Sequence, residues 1–258
     1  MSRARRLHIV GCQRSGTTLM MELMWSCFEF SGRAEHEVSL FEPVPEGETL
    51  YLTKKPPDTI RLEPAFLEDE ELFVIAMQRD PRSVVCSRHP SRAGVYFSGF
   101  RRWRDCARAI ERLRDHPRYL VVRYEDLVRN PAAVQAEISR RFPFLRRRGR
   151  FSDFPRGAEV PEPASQSLLG VRPFDPGRIH NWRNHLPRVK GQLDAYPDMQ
   201  DYLECLGYEP DDAWAIELAD VTPYLQTYKE AAPHLFKRLE TDFRFWLKTR
   251  RYLRQRGC

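Results

Sequence analysis

The stretch "LHIVGCQRSGTTLMMELM", residues 7–24, decides the fold. Its apolar opening, Leu7 to Gly11, reads as a buried strand. From Thr17 to Phe28 the apolar spacing is that of a helix. Between the two lies Gly11-Cys12-Gln13-Arg14-Ser15-Gly16-Thr17-Thr18, with its glycines as far apart as those of a nucleotide-binding phosphate loop. A strand, a glycine turn and a helix N-terminus make an anion site by geometry alone. Backbone N–H groups converge there, and the helix dipole adds about half a positive charge. A loop of the form G-x-x-x-x-G-K-[ST] places lysine on the terminal phosphates and a hydroxyl on magnesium. Here Thr17 stands at the lysine position, so that route to a γ-phosphate is not expected. Arg14 instead offers a planar bidentate donor from the middle of the loop.

Outward from this unit, strands alternate with helices. "ETLYLTKK" (48–55) reads as a second strand, and "ELFVIAMQRDP" (71–81) as a third, continuous enough for a parallel sheet buried on both faces. Pro81 suits the first turn of a helix. Helical periodicity covers 97–115, "RYLVVRYEDL" (118–127) is a fourth strand running into a turn, and Asn130-Pro131 opens a helix over 131–142. Residues 149–177 hold five prolines and little periodicity, the pattern of a long surface loop. Beyond it, 186–206 and 213–255 read as helical. The expected architecture is one α/β domain over 1–258 with a P-loop-type, mainly parallel sheet and a helical C-terminal segment.

At 258 residues the chain can build one large core. The net charge of +6 favours anionic ligands, though modestly. The six cysteines form no C-x-x-C pair and no zinc-spaced cluster with histidine, which reads as reduced thiols in a cytoplasm-like compartment. Basic residues open the chain, but the apolar run behind them is too short for a signal peptide and contains His8. No window approaches the length of a membrane span. Nucleic-acid binding has no motif of its own.

A second constellation, "QRDPRSVVCS" (78–87), puts Arg79 at the end of the third strand and Ser87 eight residues on, inside the following helix. A ligand phosphate can be held by both, one giving charge and the other a hydroxyl. The loop and this segment, in this order, resemble the PAPS-dependent sulfotransferases, and tyrosylprotein sulfotransferases most. "VVRYEDLVRNP" (121–131) is similar to the family's next landmark, and "NWRNHLPRVKGQLDAYPDMQDYLECLGYEPDD" (181–212) to its closing segment, so the resemblance spans about 7–212.

The resemblance implies a donor, 3′-phosphoadenosine 5′-phosphosulfate (PAPS), a product, PAP, and no metal. Gly11, Arg14, Ser15, Gly16, Thr17 and Thr18 would hold the phosphosulfate end, Arg79 and Ser87 the 3′-phosphate, and Tyr124 would approach the nucleotide. Arg178 and Arg183, flanking Trp182, would close over it. His180 departs from the family there, standing where tyrosylprotein sulfotransferases have serine. Catalysis would fall to Arg14 and Lys55, with Lys54 as the alternative at the "LTKKPPD" (52–58) strand end. The base would come from "GRAEHEVSLFEP" (32–43): Glu35 first, then Glu37, then His36. Sulfuryl transfer moves a singly charged SO3 group, which makes a lysine–magnesium apparatus dispensable.

The acceptor is expected to carry a hydroxyl, on a glycan, small molecule, lipid or peptide tyrosine. The run "RRFPFLRRRGR" (140–150) reads as a solvated face or a site for an anionic acceptor. The tail "FRFWLKTRRYLRQRGC" (243–258) reads as a core-capping helix with peripheral membrane contact as its other reading. Two rival functions remain open on sequence: a P-loop kinase of a small molecule, and a non-catalytic binder of anions or glycans on a degenerate sulfotransferase fold.

Overall fold

In the computed structural model, residues 3–35, 37–89, 92, 94–154, 162, 164, 173–226 and 235–258 are described. Strand β1 (Arg5–Gly11) lies at the centre of a five-stranded sheet with β2 (Gly32–Arg33), β3 (Leu50–Lys54), β4 (Leu72–Gln78) and β5 (Tyr119–Arg123). The order is β2-β3-β1-β4-β5 and every pairing is parallel. Leu7, Ile9, Val10, Leu52, Val74, Ile75 and Ala76 are fully buried, as expected of central strands covered on both faces. This is the P-loop-type α/β architecture that the sequence predicts.

Two polar residues interrupt the apolar run of β1, and both have partners on the same face. Nδ1 of buried His8 lies 2.8 Å from Thr53 Oγ1, and its Nε2 lies 3.3 Å from Asp58 Oδ2. Asp58 in turn accepts from Ser39 Oγ at 2.9 Å and Leu40 N at 2.8 Å. Arg6 donates to the carbonyls of Leu40 and Glu42. Together they tie the segment 39–42 to the sheet, directly after the acidic stretch that begins at Glu35.

Helix α1 (Thr17–Cys27) starts at Gly16, and α2 (Glu63–Glu68) precedes β4. Helix α3 (Pro81–Val85) is N-capped by Asp80, whose side chain accepts from Arg82 N, and α4 (Phe100–Leu113) follows. The predicted strand over 118–127 stops at Arg123; Tyr124 opens α5 (Tyr124–Arg129), and α6 (Pro131–Arg141) follows. Helices α7 (Leu186–Ala195) and α8 (Met199–Cys205) occupy the predicted 186–206. The stretch 213–255 is not one helical segment. Ala213–Leu218 is a 3-10 turn, no helix or strand covers 219–226, and 227–234 lie outside the described residues. Helix α9 (Leu235–Arg256) completes the chain. Most of the proline-rich stretch 149–177 also lies outside the described residues. Among the described residues no helix is long and apolar enough to cross a membrane.

The arginines of the run 140–150 are mostly exposed, and three of them bond to the protein itself. Arg148 donates to the carbonyls of Trp25 and Ser26, capping the C-terminus of α1, and Arg147 donates to Ser139 Oγ and the Gln135 carbonyl on α6. Arg140 pairs with Glu137 one turn earlier.

Candidate active site

Strand register brings the predicted residues to one edge. Gly11 lies opposite Met77, Ile9 opposite Lys54, and Gln78 opposite Arg123. The carboxyl ends of β3, β1, β4 and β5 therefore present Lys54, the loop, Arg79 and Tyr124 side by side. In open parallel sheets this is the crevice where ligands bind.

The loop conformation explains its two glycines. Gly11 has φ 143 and Gly16 φ 97, both left-handed-side values that side chains avoid. A Cβ on Gly16 would stand 2.6 Å from Cδ2 of Tyr124, so the ring packs flat against the loop. Arg14 takes φ 72, unusual for a residue with a side chain. Its backbone is held there by Arg79, which donates to the Arg14 carbonyl at 3.0 Å. Thr59 fixes the start of the loop, its hydroxyl accepting from Gly11 N at 2.8 Å.

Arg14, Arg79 and Ser87 form one cluster. Arg14 Nε donates to Ser87 Oγ at 2.7 Å, and the Arg79 guanidinium lies 4.1 Å from the centre of the Tyr124 ring. Burial, and after it the neighbouring Arg79, lowers the pKa of Arg14. Arg79 Nε and Ser15 Oγ are buried and have no hydrogen-bond partner among the described residues. Trp103 on α4 positions Arg79 by donating from its indole to the Arg79 carbonyl at 2.8 Å. No sequence signal pointed to Trp103, because the contact depends on how α4 returns across the sheet edge.

On the other side of the loop, Lys54 rather than Lys55 makes the contact. Lys54 Nζ donates to Thr18 Oγ1 at 3.0 Å, from a nearly buried position that lowers its pKa. Glu37 bridges both lysines, 3.5 Å from Lys54 and 3.6 Å from Lys55. Lys55 is thus one residue further from the loop, with its remaining bond to the Glu37 carbonyl. Glu35 is exposed and its charge acts on Tyr51, which points to the opposite face of β3 from Lys54. Of the two described base candidates, Glu37 is the one at the lysines; His36 lies outside the described residues. Arg178 pairs with Asp175, and Arg183 pairs bidentately with Glu217. Neither touches the loop, Arg79 or Ser87.

The second arginine of Arg-Asp-Pro-Arg does different work. Arg82 is 1 % exposed, paired to Asp80 at 2.7 Å and to Glu209. Its guanidinium sits 4.1 Å from the Trp182 ring centre and 4.6 Å from that of Trp214. Burial pulls its pKa down, but Asp80 and Glu209 more than offset that, and the net direction is upward. Arg82 joins the end of β4, beside Arg79, to the chain's later third.

Fold and site together define a P-loop-type α/β protein whose loop is served by arginines and a lysine from a neighbouring strand. No family model matches the chain, and no curated protein does. Among solved structures it is similar to the sulfotransferase domain of the Synechococcus olefin synthase, at 17 % identity, TM-score 0.45, covering 71 % of this chain and 89 % of that one. It is also similar to a sulfotransferase from Mycobacterium tuberculosis, at 13 % identity and TM-score 0.38, with 70 % and 76 % covered. A third is retinol dehydratase in complex with androsterone and the inactive cofactor PAP, at 14 % identity and TM-score 0.31, with 99 % and 81 % covered.

Proposed function

We propose that the chain binds PAPS and transfers its sulfuryl group to a hydroxyl of an acceptor. The observation that carries this reading is the joined cluster Arg14–Ser87–Arg79 on one side of the loop, with Lys54 at Thr18 on the other. The donor set fits a nucleotide with two anionic ends: two guanidiniums, one ammonium and two hydroxyls around a helix N-terminus. Unpartnered Arg79 Nε and Ser15 Oγ supply further donors, and the Tyr124 ring supplies a flat wall.

PAPS, when bound, supplies an SO3 group on a phosphate leaving group. Arg14 and Lys54, from either side of the loop, would hold the donor's phosphosulfate end and offset the negative charge of its leaving phosphate. Glu37 takes the hydroxyl proton as the acceptor oxygen bonds to sulfur on the opposite face. Lys54 and Lys55 both pair with Glu37 and fix where its carboxylate stands, and positioning contributes much of the acceleration. Arg79 and Ser87 hold the 3′-phosphate and turn over no bond.

The test is release of PAP from PAPS in a metal chelator, across a panel of phenols, sugars, sterols and tyrosine peptides. Acceptor-dependent release, abolished by Arg14→Ala, supports the reading. Release that no acceptor stimulates, or that requires magnesium, overturns it.

A further inference from the structure

Helix α9 has two faces, and among the described residues one of them packs against the rest of the protein. Phe245, Thr249, Tyr252 and Arg256 pack inward: Phe245 meets Phe41 edge-on at 5.8 Å, Tyr252 donates to Asp69, and Arg256 Nε donates to Asp69 at 2.7 Å. The opposite stripe runs Phe243, Trp246, Leu247, Arg250, Arg254, the i, i+3, i+4, i+7, i+11 spacing of a single helix face. Its three apolar members are 60 %, 51 % and 48 % exposed. Phe243 and Trp246 stack on each other at 5.9 Å, and the Arg250 guanidinium lies 5.0 Å from the Trp246 ring centre. Trp246 and Leu247 also line a shallow groove with Arg250, Arg251, Arg254 and Gln255.

Among the described residues, Arg250, Arg251 and Arg254 have no carboxylate partner, whereas Glu240 is taken by Arg244 and Asp242 by Arg61. The Asp242–Arg61 pair sits just past the 3-10 turn Pro56–Ile60 whose Thr59 holds Gly11. The aromatic end of the stripe therefore lies toward the carboxyl edge of the sheet, and the Arg256 end, bonded to Asp69 and the Ala4 carbonyl, toward the amino edge.

We propose that this face of α9 docks on an anionic membrane surface. Phe243, Trp246 and Leu247 would enter the headgroup–acyl boundary while Arg250, Arg251 and Arg254 contact lipid phosphates and carboxylates. A soluble polyanion would satisfy the arginines and offer nothing to Phe243 or Leu247. A bilayer interface offers both, and tryptophan beside arginine suits its depth.

The test is flotation of the full chain at physiological salt with phosphatidylcholine vesicles, alone or containing phosphatidylserine. Strong flotation only with phosphatidylserine is expected, with a blue shift of the emission that the Trp246→Phe variant lacks. Arg250→Gln/Arg251→Gln/Arg254→Gln should weaken binding by about a hundredfold, a factor of about five per cation removed. Phe243→Ser/Trp246→Ser/Leu247→Ser should also lose it, and because all six side chains are exposed, circular dichroism of both variants should match the parent. No flotation overturns the proposal. So does flotation untouched by the apolar triple, which would make this a purely electrostatic contact. Self-association through the same residues without flotation would identify a protein partner instead, and also overturns it.

Discussion

The two arginines of Arg-Asp-Pro-Arg should separate cleanly into stability and binding. Arg82 is buried, its charge met by buried Asp80 and by Glu209, and its guanidinium sits between Trp182 and Trp214. Arg82→Met keeps much of the volume but leaves the Asp80 carboxylate without its cation. Removing one partner of a buried pair costs about 3–5 kcal/mol, and the two lost ring contacts add to it. Arg79 is half-buried, and Arg79→Ala gives up one hydrogen bond to the Arg14 carbonyl and one ring contact with Tyr124. Those losses sum to about 1–2 kcal/mol. Urea unfolding followed by tryptophan fluorescence reads both, and Trp182 and Trp214 report on the Arg82 joint directly. A loss at Arg82→Met no greater than that at Arg79→Ala would refute the division of labour.

Three other outcomes follow from the geometry. Glu37→Gln should lower the transfer rate by about a hundred- to ten-thousand-fold while PAP binding holds, and Glu35→Gln should leave both unchanged; the reverse pattern would return the base to Glu35. Gly16→Ala should abolish PAP binding in calorimetry, because its Cβ would collide with Tyr124 at a φ that alanine resists; parental affinity would contradict the packed loop. Burial holds the His8 pKa below the ordinary 6.5, against the pull of Asp58. Below about pH 6.5 the unfolded chain then takes up a proton that the folded chain refuses, so stability is full above that pH and falls beneath it. The slope reaches at most about 1.4 kcal/mol per pH unit. Urea midpoints between about pH 7 and pH 5 should fall more steeply for the parent than for His8→Gln; equal slopes would contradict the assignment.

The sheet and its loop were legible because both rest on local patterns. Apolar runs marked β1, β3, β4 and β5, and the glycine spacing marked the anion loop; Gly11 and Gly16 do hold the positive φ values it requires. Strand β2, only Gly32–Arg33, is too short for any periodicity, and α2 is hidden by Pro64 near its start. Choosing between Lys54 and Lys55 needed the end of β3, and with Tyr51 to Lys54 all buried there was no alternation to show which way each points. Arg82 was silent because its partners Trp182, Glu209 and Trp214 lie more than ninety residues on, beyond any local window. Glu37 stands at the lysines on a segment whose path is set by the Asp58–Ser39 and Arg6–Leu40 ties, and its sequence alone fixes no direction.

The central claim is that the arginine-built loop takes a 3′-phosphorylated nucleotide without a metal. Calorimetric titration with adenosine 3′,5′-bisphosphate in a chelator, beside ATP with magnesium, tests it most directly. The account predicts tight binding of the bisphosphate, weakened by about ten- to a hundredfold in Arg79→Ala, since a hydrogen bond to a charged group contributes about 1.5–3 kcal/mol. Preference for ATP with magnesium, or bisphosphate binding that Arg79→Ala leaves intact, would contradict it.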